Sequence, residues 1–208
     1  MTKLNIRQIN NTDMIKMKWV NHASYIIQNE SISIIADPWL FGSAFNNGWD
    51  LLVDSKFSIK DFDNITHIWF SHEHSDHFAP GILNKIPQKK RENITVLFQE
   101  TSDKRVLDFC RKLSFKVIEL PHRKKYHLAD HFSITCGKMI GIDSWLLYEI
   151  NDLKLLNLND CIIDSYKLCD SIKRTTSSVD ILMTQFSYAN WIENPNDKVI
   201  RQKSAKEK

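Results

Sequence analysis

Three histidines and an aspartate fall within six residues of this chain, in Ser71-His72-Glu73-His74-Ser75-Asp76-His77-Phe78. Imidazole and carboxylate together suit zinc, iron or manganese, and two adjoining clusters suit a dinuclear centre. The apolar run Ile65–Phe70 before them reads as a buried strand, so the cluster falls where the chain leaves the core. In an extended segment His72 and His74 point the same way and grip one ion together. The chain then turns toward a helix, with Pro80 placed for its first turn, and this brings Asp76 and His77 beside the pair. Four ligand-type residues at this spacing describe a metal site, with Asp76 also available as a proton acceptor.

The elements that must hold this cluster can be read on both sides of it. Met17–Val20, Ser24–Ile27 and Ser31–Ala36 predict a meander of three short antiparallel strands. His22 lies in the first turn, within approach of the metal edge, where a hydrogen-bonded loop role is expected. Asp37-Pro38 ends the third strand, because proline has no donor for the ladder. A carboxylate there either accepts the far ring N–H of a metal-bound histidine, fixing its tautomer, or merely starts a turn. The segment from Trp39 to Leu52 is apolar but without period, so it packs over the sheet or lines a pocket. Trp39, Phe41, Phe45 and Trp49 are its candidate substrate contacts.

After the motif, Ile82, Leu83 and Ile86 form one helical face that Pro87 breaks. Ile94–Phe98 and Phe115–Ile118 predict strands around a helix capped by Thr101 or Ser102, with Val106, Phe109, Cys110 and Leu113 on its inner face. His131–Cys136, Trp145–Ile150 and Leu153–Leu158 are further strands, the last two joined by a tight turn at Asn151-Asp152. Asp160 follows, either as a strand-end metal ligand or as the cap of a helix from Cys161 to Ile172. Val179–Thr184 is the last strand, and Tyr188 leaves it at the edge where strand ends approach the site.

His72-x-His74-x-Asp76-His77 resembles the signature of the metallo-β-lactamase-fold superfamily. The resemblance implies an α/β (α+β) architecture, a four-layer αββα sandwich with one or two metal ions at one edge of its sheets. The run from Asp37 to Trp49 is similar to the corresponding segment of the CMP-N-acetylneuraminate hydroxylases, Rieske-coupled oxygenases whose catalytic domain has that fold. The likeness continues from Ser71 to His77 and at Leu156-Asn157-x-x-Asp160-Cys161. It implies that Asp37 supports a metal-bound histidine and that Asp160 bridges two metals. Two departures stand against this pattern. Where the superfamily has a third histidine this chain has Gly137–Asp143, with Met139 in register, and a thioether is a poor ligand beside imidazole and carboxylate. Asp143, His122 and His127 are alternatives for which surface or turn roles are expected. No histidine follows Phe186, which implies a chain shorter than its relatives or a fragment of a longer one. Moreover, no cysteine stands two residues before a histidine, so this chain carries no Rieske cluster, and oxygenase chemistry would need an external electron donor.

Composition narrows the function classes. A length of 208 residues with 42% hydrophobic content suits one core, read as a domain over residues 1–195 and a basic tail over 196–208. In that tail Lys198, Arg201, Lys203, Lys206 and Lys208 outnumber Asp197 and Glu207, leaving the body near neutral and without a nucleic-acid face. Four cysteines without a C-x-x-C pair fit a reducing compartment, and no apolar run is long enough for a membrane, so a cytoplasmic protein is expected. The combined reading is a metal-dependent hydrolase binding zinc or iron. Its small-molecule substrate would be a nucleotide sugar or another phosphorylated or acylated metabolite. A diiron oxygenase and a metal-binding domain without turnover are the alternatives.

Overall fold

The continuous apolar runs of the first half become the centre of a six-stranded sheet in the computed structural model, which describes residues 14–29 and 31–185. β1 (Lys16–Asn21), β2 (Ser24–Asn29) and β3 (Ile32–Ala36) pair antiparallel, with Ile26 opposite Ile35 and Ile27 opposite Ile34. β4 (His67–Trp69) then joins β3 in parallel. All of β3 is buried, as a strand covered on both faces must be. A 3-10 helix over Ile59–Asn64 precedes β4. The crossovers that follow carry α1 (Pro80–Lys85) and α2 (Gln88–Arg91), then β5 (Thr95–Gln99), α3 (Arg105–Lys112) and β6 (Lys116–Leu120). The sheet order is β1-β2-β3-β4-β5-β6.

The second half builds a five-stranded sheet from β7 (Lys125–Ala129), β8 (Phe132–Lys138), β9 (Ser144–Ile150), β10 (Leu153–Asn157) and β11 (Ile181–Met183), ordered β11-β10-β9-β8-β7. Its pairs are antiparallel except β10 with β11, which are linked through α4 (Tyr166–Thr176). Gly137 lies opposite Trp145, and a Cβ there would stand 1.9 Å from the indole, so only glycine lets the ring lie across the strand.

Side-chain alternation sorts the core into three apolar clusters. Ile35, Ile68, Val96 and Phe98 face α1 and α3, meeting Leu83, Leu107 and Cys110. Ile27, Ile34, Trp69 and Leu97 face the other sheet, meeting Ile134, Leu146, Tyr148 and Ile150. Trp145, Leu147 and Leu156 face outward beneath Ile172 of α4. Helix, sheet, sheet and helix are thus stacked as four layers, the αββα sandwich.

Three local expectations are corrected. The helix expected from Cys161 begins at Tyr166, where the Ser165 hydroxyl accepts from Leu168 N, because Cys161 and Ile163 are used as loop residues in the third cluster. α3 starts after Lys104, and neither Thr101 nor Ser102 caps it. β7 was not anticipated, being an edge strand with Lys125, His127 and Ala129 exposed. Residues 196–208, read as a basic tail, lie outside the described residues. Among the described residues no helix is long and apolar enough to cross a membrane.

Candidate metal centre

The site grows from the ends of β3 and β4. Phe70 N still bonds Leu97 O, and at Ser71 the chain leaves the sheet. It does not stay extended there. His77 N and Phe78 N both donate to His74 O, at 3.0 and 2.8 Å, closing a turn over the motif. His72 and His74 therefore do not share a strand face as expected. His72 is buried, His74 is exposed, and their rings meet edge-on with centroids 4.6 Å apart.

Asp37 organises the interior of this turn. Its backbone is left-handed at φ 41°, and its N bonds Trp69 O at 2.9 Å. One carboxylate oxygen accepts from Ser71 N at 2.8 Å. The other accepts from the Ser71 hydroxyl (2.8 Å), from His77 Nδ1 (3.0 Å) and from the Asn159 amide. Because the Ser71 proton goes to Asp37, its oxygen accepts from His72 Nδ1 at 2.9 Å. Both histidines thus carry their proton on Nδ1, which leaves Nε2 as a lone pair. His72 Nε2 and His77 Nε2 are buried and have no hydrogen-bond partner, as is Asp76 Oδ1. Buried nitrogen and oxygen atoms left unpaired side by side are the kind that an ion could satisfy.

Electrostatics agree. His77 Nε2 lies 3.4 Å from Asp76 Oδ2 and 3.3 Å from Asp160 Oδ2, so its lone pair faces two carboxylates that need a cation between them. In metal-free protein a proton takes that place: burial lowers the His77 pKa, but Asp37, Asp160 and Asp76 outweigh it and raise it well above the usual value. Burial with the nearby His77 charge pushes His72 down to about 4. Burial would raise Asp76, yet the hydrogen bond with His22 and the nearby His77 charge hold it well below the usual carboxylate range. So depressed a carboxylate is a better cation ligand than proton acceptor at neutral pH. Two donor groups emerge, His72, His77 and Asp160, and His22, Asp76 and His77, each with ligand atoms within 4.8 Å of one another.

Asp160 stands half-exposed in the turn after β10, and α4, capped by Ser165, does not use it. The β8–β9 turn brings Asp143 to 3.6 Å from His72 Nδ1, and the Ser144 hydroxyl pins this turn to Ser71 O at 2.6 Å. Burial and the Asp160 charge raise the Asp143 pKa. Met139, placed by register at the position of a third ligand, packs instead against the third apolar cluster. His122 Nδ1 accepts from Lys138 N, and His127 is exposed on β7. Sequence reasoning missed Ser71 and Asn159. Asn159 N bonds Asn157 Oδ1, and Asn157 donates to Tyr25, whose hydroxyl meets that of Tyr148 at 3.0 Å. A hydrogen-bonded chain thus joins Asp37 to the layer between the sheets.

The aromatic loop divides. Trp39 is buried in the first cluster, its ring edge-on to His22, so the expectation of an open substrate contact is corrected for this residue. Phe41 is exposed beneath the Lys85 ammonium. Phe45 lies 5.7 Å from the His74 ring and 5.1 Å from Trp49, and the two form an exposed aromatic rim. Tyr188 lies outside the described residues. On the other side of the motif, a cavity of about 530 Å³ is lined by Glu73, Phe78, Phe98, Val106, Phe109 and Lys138.

A family model described as a β-lactamase superfamily domain matches residues 16–206. The cytidine monophosphate-N-acetylneuraminic acid hydroxylase of Danio rerio is 26% identical over 180 residues, covering 83% of this chain and 29% of that protein. Its Xenopus laevis counterpart is 30% identical over 154 residues, covering 71% and 26%. The chain therefore spans under a third of the length of each of these two relatives. Among solved structures, CmlA, a diiron β-hydroxylase from Streptomyces venezuelae, superposes with a TM-score of 0.64 at 17% identity, over 82% of this chain and 34% of that one. A protein described as a "possible metal-dependent hydrolase" from Veillonella parvula gives 0.64 at 15% identity, over 91% and 81%. At such identities the superpositions speak for the fold.

Proposed function

This chain belongs to the β-lactamase superfamily domain family, and we propose that it is a metal-dependent hydrolase of a small-molecule substrate. The observation that carries the reading is the pair of buried, unpartnered Nε2 atoms of His72 and His77, the latter 3.4 Å from Asp76 Oδ2 and 3.3 Å from Asp160 Oδ2. In this reading His72, with the exposed His74 ring beside it, would hold a first divalent transition metal, Asp76 and His77 would hold a second, and Asp160, which shares a donor group with His72 and His77, would serve both. The nitrogen and oxygen donors suit zinc or iron. Such an ion lowers the pKa of a coordinated water toward neutrality and polarises the scissile group. Asp37 fixes the His77 tautomer, and Ser71 does the same for His72, so the lone pairs are aimed before any ion arrives. Phe45 and Trp49 would cover an apolar part of the substrate at the rim, and the neighbouring cavity would receive the remainder. A phosphorylated or acylated metabolite, or a nucleotide sugar, fits this description.

A diiron oxygenase is the second reading. It is favoured by the likeness to the CMP-N-acetylneuraminic acid hydroxylases and by a donor set that includes the carboxylates of Asp76 and Asp160, with Asp143 3.6 Å from His72 Nδ1. Electrons would come from an external donor. A metal-binding domain without turnover is what remains if neither activity is found.

Elemental analysis of protein purified without added metal separates these readings. Zinc near stoichiometry supports hydrolysis, and iron supports oxygenation. His72→Ala combined with His74→Ala should lose the first ion and so lower the metal content, while the three apolar clusters keep the domain folded. Undiminished metal in that double variant would overturn the assignment.

A further inference from the structure

We propose that His22, in the turn between β1 and β2, is a protein ligand of the second metal, joining Asp76 and His77 through its Nε2. The proposal rests on the metal-centre reading and adds to it a residue that lies outside the His72–His77 motif. His22 Nε2 stands 3.0 Å from Asp76 Oδ2, and its ligand atom lies within 4.8 Å of those of Asp76 and His77. The other two members of this trio carry the orphaned atoms, Asp76 Oδ1 and His77 Nε2, both buried without a partner. One cation at their meeting point would satisfy both and accept the His22 lone pair once its proton is displaced.

The backbone points the same way. His22 has φ 38°, in the left-handed region, at a tight turn where glycine or asparagine would sit with less strain. The strand entering the turn is irregular between Trp19 and Asn21, and such irregularities re-aim a side chain beside a functional site. The indole of Trp19 donates to His22 O at 3.2 Å, tying down the turn. The imidazole itself is held edge-on by Trp39 at 5.3 Å and Trp49 at 6.5 Å. A strained residue with a clamped ring is the form expected of a preorganised ligand.

A purely structural role would be the hydrogen bond to Asp76, and a glutamine amide can make that bond without ligating well. The test therefore compares wild type, His22→Gln and His22→Ala, each freed of metal with a chelator and titrated with zinc against a chromophoric competitor. Cobalt absorption in the visible range serves as an independent readout of ligand number. Wild type should bind two equivalents. Both variants should keep the first with unchanged affinity and bind the second at least about 100-fold more weakly, since even supporting residues outside the ligand set give 10–100-fold. The cobalt spectrum of the second site should change with it, while the metal-free melting temperatures stay close. A His22→Gln protein whose every bound ion keeps wild-type affinity and spectrum overturns the proposal, leaving only a hydrogen bond. Wild-type protein that binds no ion overturns the metal-centre reading itself, an outcome distinguishable from the first because no variant is needed to see it.

Discussion

His67, on β4, and His77, ten residues on, show that burial alone does not set the charge of a histidine. His67 bonds the Thr66 hydroxyl and has no carboxylate to favour its cation, so burial pushes it down to about 4. His77 is more deeply buried, yet three aspartates raise it. For His67 the unfolded chain takes a proton near pH 6.5, while the folded protein refuses it until about 4. Its contribution to stability is therefore complete above about pH 6.5 and is lost as pH falls toward 4. His67→Gln should remove a difference of about 1–2 kcal/mol across that window, after allowance for solvent screening at a half-buried position. Urea denaturation of metal-free protein at pH 7.5 and at pH 4.5 measures it, and a constant gap between variant and wild type would contradict it. Asp37 could be read as a histidine-supporting carboxylate or as a turn residue; the resemblance implied the first, and it accepts from His77 Nδ1. Its other partners could not be read, since Ser71 and Asn159 lie 34 and 122 residues away.

Among the elements, the loop after β3 has the most uneven fate. Trp39, Leu40 and Ala44 turn inward, while Phe41, Phe45 and Trp49 stay out, around a single bridge between Ala44 and Trp49. Phe45, Asn46 and Asn47 run in sequence at φ 50°, 53° and 66°, which closes this small turn. Truncating the two indoles should therefore differ sharply. Trp39→Ala should cost about 3–5 kcal/mol, as large core truncations do. Trp49→Ala should cost under about 1 kcal/mol in urea and act on ligand binding instead. Similar losses at both positions would contradict this division. The loop's apolar content was plain in the sequence, but its inward and outward positions follow no period, so they could not be assigned. Period explains the other differences as well. β3 and β9 were visible as long apolar runs. β7, with only Tyr126 and Leu128 turned toward the layer between the sheets, was too short a pattern to stand out. Asn151 was read as a turn residue from its tolerance of positive φ, and it adopts 52°.

At the scale of the molecule, the proposed metal centre lies where the two sheets are fastened together. His22, Asp37 and the His72–His77 turn belong to the first sheet. Asp143, Ser144, Asn159 and Asp160 belong to the second, and they cross to the first through Asp37, His72, His77 and Ser71 O. The motif pointed to metal chemistry but not to this union, because nothing in its spacing says which later aspartate folds back onto it. Ions held between the His72–His77 turn and Asp160 would tie residues that the unfolded chain keeps far apart. Metal should then act on global stability rather than on a local loop. At a free concentration one hundred times its dissociation constant, an ion bound only by the folded state contributes about 2.7 kcal/mol. For a domain of this size that corresponds to a rise of about 5–10 °C in melting temperature. Thermal melts with zinc and with a chelator should show the shift in one cooperative transition that moves both near-ultraviolet and far-ultraviolet signals. The His72→Ala, His74→Ala variant, left with at most the second ion, should show a smaller shift. A wild-type shift confined to one signal, or absent while the ion is bound, would mean that the ion does not couple the two sheets.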